Sequence, residues 1–365
     1  MHKYKPLLLA ILSVLAAVTV VACSATVPTN TATSPNVNPT GSPTAPAAGK
    51  SRLDTVISRG KLQCGVSGDL PGFSFVDKSG KYSGLDVDLC RAIAAGLFGD
   101  PEKVEYRNLT SKERFEVLKA GDVDLLSRNS TWTISRDTSL GLEFTATMFY
   151  DGQGMMVRRD SNITRLEDLA GKSVCVETGT TTELNLADQM RQRNIDYRPL
   201  VFENGDATYA AYAQGRCEGV TSDRSQLAGR RTALPNPDEH TILDVVMSKE
   251  PLAPVVVNND SRWSDVVKWT VFTLINAEEL GIDSKNLDEK LKSNDPVVRR
   301  FLGVEGTLGK DMGLPNDFAV QIVRRVGNYG EVYDRNVGSQ SRLNLPRGIN
   351  QLWNKGGLMY SPPFR

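Results

Sequence analysis

Strand and helix signals alternate along most of this chain, and that alternation restricts it to an α/β architecture. Lys61–Ser67 reads as a buried strand, followed by a Gly/Pro loop over Gly68–Phe75. Leu85–Phe98 reads as a helix, because Leu85, Leu89, Ile93 and Leu97 recur at the spacing of one helical stripe. Thr110 and Glu113 stand at capping-box spacing ahead of another helix, and Val123–Leu126 is again a strand. The pattern restarts at Leu166 as a helix–strand–helix series reaching Val245, with a strand at Lys172–Val176 and a helix over Glu183–Arg193. Val255–Val257 is a late strand, and several helices follow it.

The ends of those strands carry the polar chemistry. After Val123–Leu126 the chain runs through Asn129, Thr131, Trp132 and Thr133 to Arg136. A planar guanidinium beside neutral hydroxyl and amide groups suits the binding of a carboxylate. The plain alternative is a surface loop in which Arg136 pairs with Asp137. A second anion-friendly place follows the Lys172–Val176 strand: Thr180 and Glu183 fit a capping box, and a helix N-terminus presents free N–H groups. A third strand, ending in Val220-Thr221-Ser222-Asp223, closes on a carboxylate that suits an ammonium group.

These segments resemble the periplasmic solute-binding proteins of amino-acid ABC transporters, and within them the general L-amino-acid-binding subgroup. The likeness covers nearly all of Leu53–Arg365 and includes LQCGVSGDLPGFSF, YSGLDVDLCRAIAA, SRNSTWTISRDTSLG, ETGTTTELNLAD, VGNYGEVYDRNVG and LWNKGGLMYSPPFR. The resemblance implies a type II two-lobed fold, each lobe a central sheet flanked by helices, joined by crossing strands near Tyr150–Val157 and Ser248–Val257. Lobe one would comprise 53–153 plus 256–365, and lobe two 154–255. It also implies that Arg136, assisted by Thr131 and by Thr180 and Thr181, holds an α-carboxylate, and that Asp223 holds an α-ammonium. Asn129 adds a neutral hydrogen bond, and Leu70, Pro71 and Phe73 lie in the loop that supplies a lid. Arg128 is open between an acidic ligand side chain and a structural ion pair, and Trp132 between the site and the core. The long C-terminal part, with Tyr329 and Trp353, is expected to pack rather than to contact ligand.

The function implied is capture of L-amino acids outside the cytoplasm and delivery to a permease by closure of the lobes, with no cofactor. A cyclohexadienyl dehydratase-like enzyme on the same fold and a ligand-sensing receptor subunit are the alternatives, since fold alone does not fix function. Beyond the N-terminus His240 is the only histidine, and the turn residues Pro235-Asn236-Pro237 before it predict an exposed ring rather than a catalytic base. No G-x-S-x-G, H-E-x-x-H or P-loop pattern is present.

The N-terminal segment reads as an export signal. Residues 1–22 carry His2, Lys3 and Lys5 ahead of an uncharged run from Leu7 to Ala22, and Val20-Val21-Ala22-Cys23 reads as a lipobox with Cys23 the lipidated residue. The run falls short of the ~20 residues that span a bilayer. Residues 23–50 then form a tether: Ser24–Gly49 has no charge and is rich in Thr, Pro, Ala and Ser, so it cannot bury enough apolar surface to fold. Three basic and no acidic residues precede Ser51, which leaves 40 Lys and Arg against 43 Asp and Glu beyond it. Without a basic stripe, nucleic acid is not the partner. Cys64, Cys90, Cys175 and Cys217 suit disulfides in an exported chain, and none has the C-x-x-C spacing of a zinc site. Four cysteines allow three pairings. The lobe assignment implied by the resemblance favours Cys64–Cys90 and Cys175–Cys217.

Overall fold

A computed structural model of the chain describes residues 50–365. The expected signal peptide, Cys23 and the tether up to residue 49 lie outside the described residues.

Two mixed five-stranded sheets organise the fold. In the first, the order is Val104–Asn108, Leu62–Val66, Leu125–Leu126, Val255–Val257, Leu142–Phe144. Leu62–Val66 pairs in parallel with both neighbours, and Val255–Val257 inserts antiparallel between its own two. In the second, the order is Arg198–Phe202, Ser173–Glu177, Gly219–Asp223, Gln153–Arg158, His240–Ile242. Its first two pairings are parallel and its last two antiparallel. Alternate side chains of that sheet enter separate clusters: Met155, Val157, Val174 and Val176 in one, Met156, Cys175 and Val220 in the other. Such alternation requires helices on both faces.

The chain passes from the first sheet to the second between Phe144 and Gln153, and returns between Ile242 and Val255. Both passages are extended and pair with each other, Phe149–Asp151 against Glu250–Leu252 in antiparallel register. The C-terminal region braces one of them. Asn350 accepts from the Tyr150 N–H at 2.7 Å and donates to the Tyr150 carbonyl at 2.9 Å, while the Tyr329 hydroxyl donates to the Met148 carbonyl at 2.9 Å.

The helix Leu85–Phe98 has the bounds its periodicity predicts, and Leu85, Leu89, Ile93 and Leu97 are all buried. It is buried nearly all round, beyond what a single stripe requires. The helices Ser261–Glu279 and Phe318–Arg325 cover it, and the small Gly96 allows close approach, since a Cβ there would stand 3.3 Å from Ile322. The strand expected at Val123–Leu126 is ladder-paired only at Leu125–Leu126, because Asp124 turns its carboxylate to Arg59 and the Gln63 N–H. The helix expected at Glu183–Arg193 starts earlier, at Thr181, and ends at Gln192. Leu166 opens a 3-10 turn rather than a longer helix.

Two expectations fail on burial. His240 is 4% exposed, because it enters the second sheet as an edge strand and its Nδ1 meets the Tyr212 hydroxyl at 2.9 Å. Burial pushes its imidazole below the usual histidine range. Trp353 is half-exposed on a short surface turn with its ring edge-on to Tyr360, whereas Tyr329 is a core residue as expected.

Both disulfides form, Cys64 to Cys90 across a strand and a helix and Cys175 to Cys217 across a separation of 42 residues. Closing loops of this size stabilises by roughly 3–4 kcal/mol on the chain-entropy model. Cys175→Ser is therefore expected to lose about that much in denaturant unfolding. It should expose one alkylatable thiol, at Cys217, while Cys64 and Cys90 stay unreactive in the non-reduced protein.

Candidate functional site

The parallel strands of both sheets end around one cavity, the position where open α/β sheets hold ligands. Ser67 follows the strand Leu62–Val66, Arg128 follows Leu125–Leu126, Glu177 ends its strand and Asp223 ends its own. The space between their walls is about 390 Å³, counting its mouth. Only about 20 Å³ of it admits the centre of a water-sized sphere, so the walls stand close together, and polar groups dominate the lining.

Asn129, Thr131, Thr180, Thr181 and Asp223, all predicted from sequence, line this cavity together. Asn129 has a left-handed φ of 30° and is held there by its N–H, which donates to the Asp86 carboxylate at 3.1 Å. Burial raises the Asp86 carboxyl to about 7, and the Asn129 N–H and Arg128 oppose that rise. Across the cavity, the Thr131 and Thr181 hydroxyls meet at 3.3 Å, and the Asn129 amide donates to Gln226 at 3.3 Å. Arg230 forms ion pairs with Asp69 and with Asp206, so the loop Gly68–Phe75 is also tied to the second sheet's helices.

Thr180 caps the helix Thr181–Gln192, its hydroxyl accepting from the Glu183 N–H at 3.1 Å. The Glu183 carboxylate accepts from Gly179 rather than from the cap residue, at 3.0 Å. The first helical N–H groups keep no partner within the helix, as at any N-terminus. Thr181 donates to Glu250 at 2.9 Å, and Asn185 donates to the other oxygen of the same carboxylate.

Asp223 is 5% exposed. Burial, then the carboxylates of Asp151 and Glu250, push its carboxyl well above the usual range, while Arg114 and Asn129 oppose them. Asp151 is raised to about 6 by burial, against hydrogen bonds from Ser225. A cation placed among these acids opposes that rise.

Arg136 is buried but does not line the cavity. It stands behind Thr131, its Nη1 donating to the Thr131 carbonyl at 3.0 Å and its guanidinium lying 5.2 Å from the Phe115 ring. The surface alternative does not hold either, since Asp137 accepts from the Phe144 N–H instead. Leu70 and Phe73 are also off the cavity. Both are 1% exposed, and Phe73 packs edge-on to Phe149 in the core. From their loop only Ser67 and Asp69 reach the cavity wall. Trp132 points away and stacks parallel to Phe144. Arg128 lines the cavity, its Nε donating to the Leu109 carbonyl at 2.7 Å rather than to an acid.

Arg114, Glu177 and Gln226 were not anticipated, yet all three line the cavity. For Glu177 a usable signal existed: like Asp223, it is the polar residue that ends an apolar parallel strand. Arg114 had none, because its position follows from how the short helix Arg114–Lys119 docks.

A family-model match spans residues 62–302, for the bacterial extracellular solute-binding proteins, family 3. The chain is 50% identical over 323 residues to the general L-amino acid-binding periplasmic protein AapJ of Rhizobium johnstonii, covering 88% of this chain and 95% of that one. It is 47% identical over 322 residues to the glutamate/glutamine/aspartate/asparagine-binding protein BztA of Rhodobacter capsulatus, at 88% and 95% coverage. Among solved structures, a periplasmic binding protein of an ABC transporter from Brucella ovis with glutathione bound superposes with a TM-score of 0.85 at 50% identity, covering 87% of this chain and 100% of that one. The cysteine-binding protein from Campylobacter jejuni matches at a TM-score of 0.57 and 28% identity, covering 68% and 97%. With its two five-stranded sheets and paired crossing strands in the type II arrangement, the chain belongs to the bacterial extracellular solute-binding proteins of family 3.

Proposed function

We propose that this chain is the extracytoplasmic binding component of an ABC importer for L-amino acids, closing around one amino acid and delivering it to permease subunits. The observation that carries the reading is the cavity itself, in which guanidinium, carboxylate and hydroxyl groups from the ends of both sheets' strands meet around one small space. A zwitterion matches that set. We take residues 53–153 plus 256–365 as one lobe and 154–255 as the other, with the paired segments Phe149–Asp151 and Glu250–Leu252 as the bending region. Contacts from both lobes to one ligand supply the free energy for closure.

In this reading Thr131 and the Thr180–Thr181 helix start receive the α-carboxylate, with Arg136 supplying its charge from behind Thr131, and Asp223 receives the α-ammonium. Asn129 borders the ligand, held by Asp86, while Leu70 and Phe73 support the wall from the core. Calorimetric titration of the ligand-free protein with the twenty amino acids tests the proposal, with saturable one-to-one binding of several expected. Absence of heat with all twenty, together with turnover of arogenate or prephenate, would establish the enzymatic alternative instead.

We also propose that Cys23 is lipidated after removal of residues 1–22, so that the tether holds the binding domain at a membrane surface of the cell envelope. The native protein is then expected to partition with membranes, and Cys23→Ser to accumulate unprocessed or to leave them. An unmodified N-terminus well downstream of Cys23 in fresh membranes would sink this part.

A further inference from the structure

Two charged side chains in the cavity have no protein partner to explain them. Arg114 is 3% exposed, and its Nε has no hydrogen-bond partner, the guanidinium resting 4.8 Å from the Phe115 ring. Glu177 is 8% exposed, and its Oε1 is likewise unpartnered. Both line the cavity. Glu177 favours the charge on Arg114, yet no ion pair joins them among the described residues. A buried charge without a partner is costly, and a buried pair that stops short of contact keeps both costs. Opposite charges that line one cavity without pairing suit a ligand group that serves both once the walls part around it.

We propose that Arg114 and Glu177 form a subsite that reads the ligand's side chain and selects a carboxamide. This rests on the amino-acid-binding reading above. The amide carbonyl accepts from the Arg114 guanidinium, and the amide NH2 donates to the Glu177 carboxylate, so one neutral group satisfies both buried charges. A side-chain carboxylate satisfies Arg114 but is repelled by Glu177. A side-chain ammonium does the reverse and also faces Arg128, the second guanidinium in the cavity. An apolar side chain leaves both charges unpaired. Arg128 tips the balance between the two charged classes: acids are rejected less than bases. The order that results is glutamine and asparagine first, then glutamate, then leucine, with lysine last.

Neither residue belongs to the set assigned to the α-carboxylate and α-ammonium, so their removal changes the ranking of ligands rather than recognition of the common end. The test is calorimetric titration of the ligand-free full chain with L-glutamine, L-glutamate, L-alanine and L-lysine, on the wild type, Glu177→Gln, Arg114→Gln and Arg114→Lys. Thermal unfolding checks that each variant is folded. In the wild type glutamine should bind more tightly than glutamate or alanine by roughly 10- to 100-fold, the span of one or two hydrogen bonds to charged groups. Glu177→Gln should reverse the order of glutamine and glutamate. Arg114→Gln should collapse the glutamine-to-alanine affinity ratio, and Arg114→Lys, which keeps a point charge without the planar fork, should restore part of it.

If Arg114→Gln weakens glutamine and alanine by the same factor, Arg114 anchors the common carboxylate and the subsite does not exist. An unchanged ranking in Glu177→Gln overturns the proposal equally. A wild type that binds several amino acids without favouring the amide refutes the subsite while leaving the importer reading intact. Failure of the wild type to bind any amino acid refutes both.

Discussion

Arg136→Ala is expected to weaken every amino-acid ligand by a similar, large factor. The ligand's α-carboxylate would be buried in front of Arg136, with Arg114 and Arg128 the guanidinium groups on the cavity wall itself. Removing the charged partner of a buried ion costs about 3–5 kcal/mol, because the remaining charge stays desolvated and unpaired. Asp223→Ala should act in the same way through the α-ammonium. Burial, and then the neighbouring Asp151 and Glu250, favour protonation of Asp223 in the absence of a cation. The ligand ammonium offsets that repulsion and holds Asp223 ionised. Amino-acid amides, which lack the α-carboxylate, should bind the unmutated protein poorly for the same reason. Titration of the two variants against glutamine, alanine and leucine checks the point, with unfolding curves as controls. Near-normal affinity in a folded Arg136→Ala protein would leave that residue a structural one, holding the Thr131 carbonyl. The common carboxylate would then fall to Arg114 or Arg128 on the cavity wall.

A large stability effect of a single methyl group is expected at Gly84. This residue precedes the helix Leu85–Phe98 with φ at 127°, a region that L side chains rarely adopt. A Cβ there would stand 2.0 Å from the Phe73 carbonyl oxygen, which is backbone and accepts from the Asp86 N–H. Conformational strain and the clash together should cost roughly 3–5 kcal/mol in Gly84→Ala. Gly80→Ala is the matched control. Its φ is also positive, at 84°, but nothing lies within 4 Å of the added carbon. That variant should lose about 1 kcal/mol from strain alone. Equal losses in the two proteins, measured by denaturant unfolding, would mean that the Phe73 carbonyl moves aside freely. The effect should also reach the cavity, since Asp86 holds Asn129 and the same loop carries Ser67 and Asp69.

Arg136 and Glu177 show where reading the chain succeeds and where it stops. Local rules decide local structure. The stripe Leu85, Leu89, Ile93, Leu97 set a helix with its observed bounds, Thr180 with Glu183 set a helix start, and the apolar run Val255–Val257 set a strand. The cavity was legible to the extent that it collects strand ends, which is why Thr131, Thr181 and Asp223 meet there. Several arginines lie within a short stretch, however, and their residue type is the same whether they face ligand or core. Arg114 faces the cavity and Arg136 stands behind Thr131 because of how two short helices dock, with Arg136 lying on the Phe115 ring of the other helix.

The same limit explains His240, Leu70 and Phe73. Proline and asparagine before His240 do make a turn, but the ring's burial comes from strand pairing with Gln153–Arg158 and from Tyr212, 28 residues earlier. Leu70 and Phe73 occupy the predicted loop, yet Phe149, on a segment that crosses between sheets, draws Phe73 into the core. Periodicity and capping act over a few residues and are written in the sequence directly. Which face of a loop meets water, ligand or core depends on contacts between segments far apart in the chain, and those exist only once the tertiary structure has formed.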